Sequence, residues 1–277
     1  VVINKFNPMK NILDEIVQHK REEVQRRKKE FPVSGFSGVH GNKRYSLRQS
    51  LLKASGAGII AEFKRKSPSM GFFNANADVV SVTAGYVTAG AVAVSVLTDS
   101  DFFGGSLDDM KAARSAVNCP ILRKDFILDE YQVLESQHAG ADAILLIAAL
   151  LPPEQIFVLT KTAHEAGLEV VLEVHNEEEL LANLEVPVDV VGVNNRNLTT
   201  FEVTIETSVR LAGLLPGRVA RISESGLETP IELVGLKRLG YHGFLIGQRF
   251  MRHPHPQEAC TAFIRQVSQV MGNTVNN

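Results

Sequence analysis

The protein has 277 residues, with 29 Lys+Arg against 31 Asp+Glu and a formal net charge of −2. That balance supplies no overall field for holding nucleic acid or an anionic membrane. The longest apolar run, Ala143–Leu151, is nine residues, well short of the roughly 20 that a membrane helix needs. Two cysteines, Cys119 and Cys260, fit a reducing compartment and build neither a disulfide framework nor a zinc site. No charged-then-apolar leader opens the chain, so a cytoplasmic location is expected.

Residues 1–8 (VVINKFNP) read as an expression scar,. Residues 9–45 read as an N-terminal helix and linker packing on the main body, 46–272 as that body, and 273–277 as a tail. From Asn11 to Glu30, Ile12, Leu13, Ile16, Val17 and Val24 form one helical stripe,. The basic run Arg26-Arg27-Lys28-Lys29 reads as a solvated face, its cations placed near a helix C-terminus where the dipole favours them.

Apolar, β-branched segments then alternate with amphipathic ones. Strands are expected at Gly58–Lys64, Ala91–Thr98, Pro120–Phe126, Ala143–Leu150, Glu169–His175, Val190–Asn195, Arg218–Ser225 and Gly243–Gly247. Helices are expected at Asp78–Thr88, Ser106–Ala116, Asp129–His138, Pro153–Ala166, Asn176–Leu184, Ile205–Leu214, Thr229–Leu239 and Pro256–Val270. Ser106 and Asn176 suit helix entries, and Gly140, Gly167 and Gly240 suit exits. Near-continuous apolar strands imply a parallel sheet covered by helices. Eight strand–helix pairs match a single closed (β/α)₈ barrel, an α/β fold with an extra N-terminal helix. The Gly-x-Gly-x-x-Gly turn usual in an open doubly wound sheet is missing after the first strand. One barrel is expected to use the whole length, with none left for a fused second enzyme.

In such a barrel the C-terminal strand ends meet at one mouth. Those ends carry Glu62 and Lys64, then Lys124 and Phe126, Glu173 and His175, Asn194 and Arg196, and Glu224. Each pair is two residues apart and so shares a face. Lysines, an arginine, carboxylates and an amide inside a barrel are costly unless they pair or hold a charged ligand. Ser225-Gly226 and Gly247, after the last two strands, expose backbone N–H groups where barrels commonly hold phosphate. Phe103, Phe126 and Leu145 suit either core or an apolar slot for a flat ring. His175 reads as a support for Glu173. His253-Pro254-His255 reads as a loop rather than a metal pair. Lys124 is also compatible with Schiff-base chemistry.

The motifs IAEFKRKSPS (60–69), SVLTD (95–99), FFGGS (102–106), ILRKDF (121–126), LEV (172–174), VGVNNRNL (191–198), ISESG (222–226) and FLIGQRFMR (244–252) together resemble the indole-3-glycerol phosphate synthase family. The resemblance runs from about Ile12 to Ile264. It implies conversion of 1-(2-carboxyphenylamino)-1-deoxyribulose 5-phosphate to indole-3-glycerol phosphate, carbon dioxide and water, in tryptophan biosynthesis, without metal or organic cofactor. It implies Lys124 as general acid, Glu173 as base or proton shuttle, Lys64 as carboxylate holder and second acid, and Glu62 as the group orienting Lys124. Asn194, Arg196 and Glu224 complete the polar wall, and Ser67 and Arg196 stand where carboxylate contacts are expected. Phe103, Phe126 and Leu145 form the ring slot, and Ser225, Gly226, Gly247 and Gln248 the phosphate cradle. Lys124 is useful as an acid only if Lys64 and burial lower its pKa toward neutrality. The expected partner is a small phosphorylated substrate, with no nucleic acid and no membrane, in a monomer or weak homodimer. A related isomerase would show a Cys/Asp pair at strand ends, and a non-catalytic barrel would show a damaged acid–base set; neither is found. Met70, Asn197 and Gln248 depart from common family residues.

Overall fold

The computed structural model describes residues 8–36, 44–68, 70–198 and 200–275. The expected scar at 1–8, except Pro8, and residues 37–43 of the expected linker lie outside these. Strand β1 (Ile59–Phe63) is followed by a short antiparallel hairpin, β2 (Lys66–Ser67) and β3 (Gly71–Phe72). Then come β4 (Ala93–Leu97), β5 (Ile121–Lys124), β6 (Ala143–Ile147), β7 (Glu169–Val174), β8 (Val190–Asn194), β9 (Ala220–Glu224) and β10 (Gly243–Ile246). Apart from the hairpin they pair in parallel, in the order β1-β10-β9-β8-β7-β6-β5-β4, and β4 closes on β1. This is the expected (β/α)₈ barrel. Most strands end a residue or two before the expected boundary, and β6 ends at Ile147 because Ala148–Leu150 turn into a 3₁₀ helix.

The helices are α1 (Pro8–Glu30), α2 (Leu47–Leu52), α3 (Val79–Thr88), α4 (Leu107–Ala116), α5 (Glu130–His138), α6 (Pro153–Glu165), α7 (Glu177–Ala182), α8 (Glu206–Leu211), α9 (Pro230–Arg238), α10 (Gln248–Met251) and α11 (Pro256–Val275). Ser106 and Asn176 accept the backbone N–H of Asp109 and Glu179, as N-caps should,. Gly140, Gly167 and Gly240 leave their helices with positive φ, as expected. Among the described residues, no helix is long and apolar enough to cross a membrane.

Strand alternation separates two apolar layers. Ile59, Ala61 and Phe63 face outward into the shell beneath the helices, whereas Ile60, Leu122, Leu145, Val171, Ile222 and Leu245 fill the interior. Helix α2, unforeseen in the sequence, closes the bottom of that interior with Leu47 and Leu51, both fully buried. A side chain at Gly243 would strike Leu51. With the lower barrel filled by these side chains, the open part of its interior lies at the mouth.

The charged side of α1 is not simply solvated, which corrects the sequence reading. Arg27 Nε lies 2.7 Å from Glu135 Oε1, and Lys28 Nζ lies 2.7 Å from Asp129 Oδ2. Both are contacts with α5 or its N-cap, because α1 lies against that helix and not free in solvent.

Candidate active site

Inward-facing positions at the strand ends bring Glu62 (β1), Lys124 (β5), Glu173 (β7), Asn194 (β8) and Glu224 (β9) into one polar layer. Lys124 Nζ stands 2.8 Å from Glu173 Oε2 and 3.3 Å from Glu224 Oε2. Glu173 Oε1 accepts from Asn194 Nδ2 at 3.1 Å and lies 3.2 Å from His175 Nε2. His175 Nδ1 in turn meets Glu179 Oε2 at 3.0 Å. Glu62 Oε1 is paired with Lys64 Nζ at 2.7 Å; its direct partner is therefore Lys64, not Lys124.

This arrangement overturns the expectation that Lys124 has a lowered pKa. Burial does act in that direction, but Glu173, then Glu224 and Glu62, outweigh it and hold Lys124 well above the ordinary lysine range. Lys64 points its charge at Glu62 and does not depress its neighbour. The two carboxylates on Lys124 separate. Burial would raise Glu173, but Lys124 and His175 hold it well below the usual range. Glu224 is pushed up to about 7 by burial and by the charge of Glu173, against the pull of Lys124. His175, drawn down by burial, is raised to about 9 by Glu173 and Glu179. Carboxylates whose environments push their pKa values apart are the usual mark of divided acid and base roles.

Above this layer opens a cavity of about 500 Å³. Phe103 and Phe126 face each other with ring centroids 5.9 Å apart at 45°, with Leu145 nearby in the lining. On the other side of β1 are Ser225, Gly226, Gly247 and Gln248. Ser225 has φ 67, a left-handed conformation uncommon outside glycine,. Asn195 Nδ2 holds it by donating to its carbonyl at 3.0 Å. Gly247 approaches so closely that a Cβ there would stand 2.5 Å from Glu62 Oε1. Arg196 is half-buried, and burial, then repulsion from Arg252, lowers its pKa. Its guanidinium donates to the Phe201 carbonyl at 3.3 Å.

The model of the indole-3-glycerol phosphate synthase family matches residues 13–263. The chain belongs to this family. It is 45% identical over 260 residues to the indole-3-glycerol phosphate synthase of Bacteroides thetaiotaomicron, covering 94% of this chain and all of that one. It is 42% identical over 250 residues to that of Halalkalibacterium halodurans, covering 89% and 94%, and 40% identical over 256 residues to that of Carboxydothermus hydrogenoformans, covering 89% and 97%. Indole-3-glycerol phosphate synthases are carboxy-lyases of tryptophan biosynthesis, so the chain is an enzyme of that class. Among solved structures, thiamine phosphate pyrophosphorylase from Pyrococcus furiosus superposes with a TM-score of 0.59 at 17% identity, covering 82% of this chain and 100% of that one. KGPDC from Streptococcus mutans superposes with a TM-score of 0.58 at 10% identity, covering 77% and 98%. At these identities the two show the barrel fold alone.

Two residues named from sequence do not line this synthase-family cavity: His175, which supports Glu173, and Ser67. Ser67 pairs with Gly71 across the β2–β3 hairpin, and its buried hydroxyl makes no hydrogen bond among the described residues. Sequence reasoning missed Leu13 and Ile16 of α1, Leu150, Phe201 and Val203, all of which line the cavity; Asp99, visible at the end of the second strand, lines it too. The stripe on α1 was visible, but not that part of it reaches the mouth. Two departures from common family residues meet: Gln248 Nε2 lies 3.3 Å from Met70 Sδ, which also receives Arg252 Nη2 at 2.7 Å. Asn197 Oδ1 accepts the N–H of Thr200, tightening the loop after β8. His253 Nδ1 receives the N–H of His255 at 3.1 Å, and the His253 carbonyl receives Asn74 Nδ2 at 3.4 Å, so this pair serves the loop.

Proposed function

We propose that this chain closes the indole ring of 1-(2-carboxyphenylamino)-1-deoxyribulose 5-phosphate, releasing carbon dioxide and water, in L-tryptophan biosynthesis. The observation that carries the reading is the Lys124 ammonium, held between two carboxylates at the floor of a cavity with aromatic walls on one side and an arginine on another. An ammonium has three N–H donors. Two face Glu173 and Glu224, leaving one for a ketone oxygen above them.

The carboxylate-bearing ring carbon attacks the ketone carbon while Lys124 passes a proton to the ketone oxygen. Carbon dioxide then leaves and returns its electron pair to the ring. In the dehydration, Lys64 protonates the departing hydroxyl and Glu173 takes the proton lost from the sugar chain. One proton is consumed overall, replacing the charge that leaves as carbon dioxide. Lys124 is thus a strongly held ammonium that acts where negative charge develops, not a lysine tuned to neutrality. Electrostatic stabilisation of this kind gains strength in a site closed to water. Phe103, Phe126 and Leu145 support the aryl ring. Lys64 and Arg196 meet the substrate carboxylate, and the N–H groups of Ser225, Gly226, Gly247 and Gln248 take the phosphate. Asn194 and Glu62 keep Glu173 and Lys64 in place. These roles involve no metal or organic cofactor, no nucleic acid and no membrane, and suit a cytoplasmic monomer or weak homodimer.

Incubating the carboxyphenylamino sugar phosphate with micromolar protein should produce indole fluorescence at a rate proportional to enzyme. Absence of the indole signal with intact substrate recovered would overturn the reading.

A further inference from the structure

Outside the reacting layer, one charged side chain is enclosed more completely than any of those in it. Lys20, on α1, is only 1% exposed. Its Nζ lies 2.7 Å from Glu23 Oε2, 2.8 Å from Asp99 Oδ2 and 3.0 Å from Asp125 Oδ1. Asp99 follows β4 and Asp125 follows β5, the strands whose ends frame the aromatic side of the cavity. Asp99 Oδ1 accepts the N–H groups of Phe102 and Phe103 at 2.8 and 3.2 Å. Asp125 Oδ1 accepts the N–H of Phe126 at 2.8 Å. The carboxylates of Asp99 and Asp125 that hold Lys20 therefore also hold the backbones of the two rings that pack together on the aryl side of the cavity.

Asp125 has a second cation in Arg123, at 2.9 Å. Among the described residues, Asp99 has no cation within ion-pair distance other than Lys20. A buried carboxylate stripped of its cation must take up a proton or move toward water, and either change loosens the turn carrying Phe103. Lys20 also shares a helix face with Leu13 and Ile16, which lie seven and four residues before it and line the cavity,. We infer that Lys20 is a positioning residue for the aryl end of the substrate: it docks α1 onto the loops after β4 and β5 and so fixes the apolar wall made by Phe103 and Phe126, without acting on the phosphate end beyond β1. This rests on the placement of the aryl ring against Phe103 and Phe126.

The test is competitive inhibition of the full-length enzyme by two probes, 2-aminobenzoate for the aryl end and inorganic phosphate for the other end. Lys20→Met should raise the inhibition constant for 2-aminobenzoate about tenfold, a change of roughly 1.4 kcal/mol, and leave that for phosphate within about twofold. Adding Asp99→Asn removes the stranded charge but keeps an oxygen for the Phe102 and Phe103 N–H groups, so Lys20→Met/Asp99→Asn should recover most of the aryl affinity. If Lys20→Met does not fold, Lys20→Arg carries the comparison: a guanidinium keeps the charge but cannot fit all three carboxylates, and the aryl constant alone should rise severalfold. Unchanged 2-aminobenzoate inhibition, or equal weakening of both probes, would overturn the inference. Phe103→Ala separates the two ideas. If it leaves 2-aminobenzoate inhibition unchanged, the aryl placement itself fails; if it weakens binding while Lys20→Met does not, only the role of Lys20 fails.

Discussion

Two lysines in this molecule are surrounded by carboxylates, and they are put to opposite uses. Lys20 sits behind the strand ends, shut away from solvent, and the carboxylates it meets are also bonded to backbone N–H groups. Lys124 sits in front of them with its side chain 15% exposed to the cavity, and one of its partners, Glu224, is only partly ionised at neutral pH. Burial lowers the pKa of each ammonium group, but the carboxylates around it outweigh burial and raise both. What differs is whether a ligand can reach the cation and whether its carboxylates have spare capacity. A cation with every direction filled holds structure together; one with a direction left open can do chemistry.

Exchanging the two losses gives the largest contrast. Lys124→Met should lower kcat by about 10³-fold, because the proton donor and the charge facing the ketone oxygen both go. Its stability should fall little, since Glu224 can protonate and Glu173 keeps Asn194 and His175. Lys20→Met should show the reverse balance, with unfolding free energy reduced by about 3–5 kcal/mol, the usual result of breaking one side of a buried pair. Urea unfolding alongside steady-state kinetics reads both quantities; equal effects on stability and kcat in the two variants would erase the distinction.

A smaller effect concerns pH. A carboxyl raised to about 7 is largely protonated below that pH and ionised above it. Ionising Glu224 adds a negative charge to a cavity that must accept a carboxylate and a phosphate. KM should therefore rise as pH passes upward through about 7, and Glu224→Gln should flatten that rise. A pH profile of KM that keeps the same midpoint in the variant would assign the titration to another group.

The smallest change is expected at the rim. Met70→Lys removes the thioether that receives Gln248 and Arg252 and sets a cation beside Arg252. Stability should stay within about ±0.5 kcal/mol, as for most surface substitutions, and KM should move by less than about threefold. A larger loss would mean that the contact between the loops after β1 and β10 helps to shape the cavity.

Much of the barrel was readable along the chain. Strands such as Ala143–Ile147 are buried on both faces and show as apolar runs, and caps such as Ser106 and Asn176 act on residues three positions away. The two-residue spacing that put Glu173 and His175 on one face was readable for the same reason. Helix α2 was not readable: its six residues are too few for a periodic pattern, and its role comes from plugging a barrel that the local sequence does not describe. Nor was the burial of Lys20, which on a helical wheel is one more charge on a charged helix. The lowered pKa expected for Lys124 fails because Lys64, the cation expected beside it, is paired with Glu62, while the groups that do surround Lys124 lie 49 and 100 residues further along the chain.

Sequence alone determined the alternation of strand and helix, the face each strand turns inward and the identity of the chemical groups at the mouth, because periodicity and capping act between residues a few positions apart. Only the tertiary structure decided which ammonium faces which carboxylate, which cation is sealed and which is open, and that α1 supplies part of the cavity wall. Charges select their partners by distance in space and by the dielectric around them, and both quantities exist only once the barrel has closed.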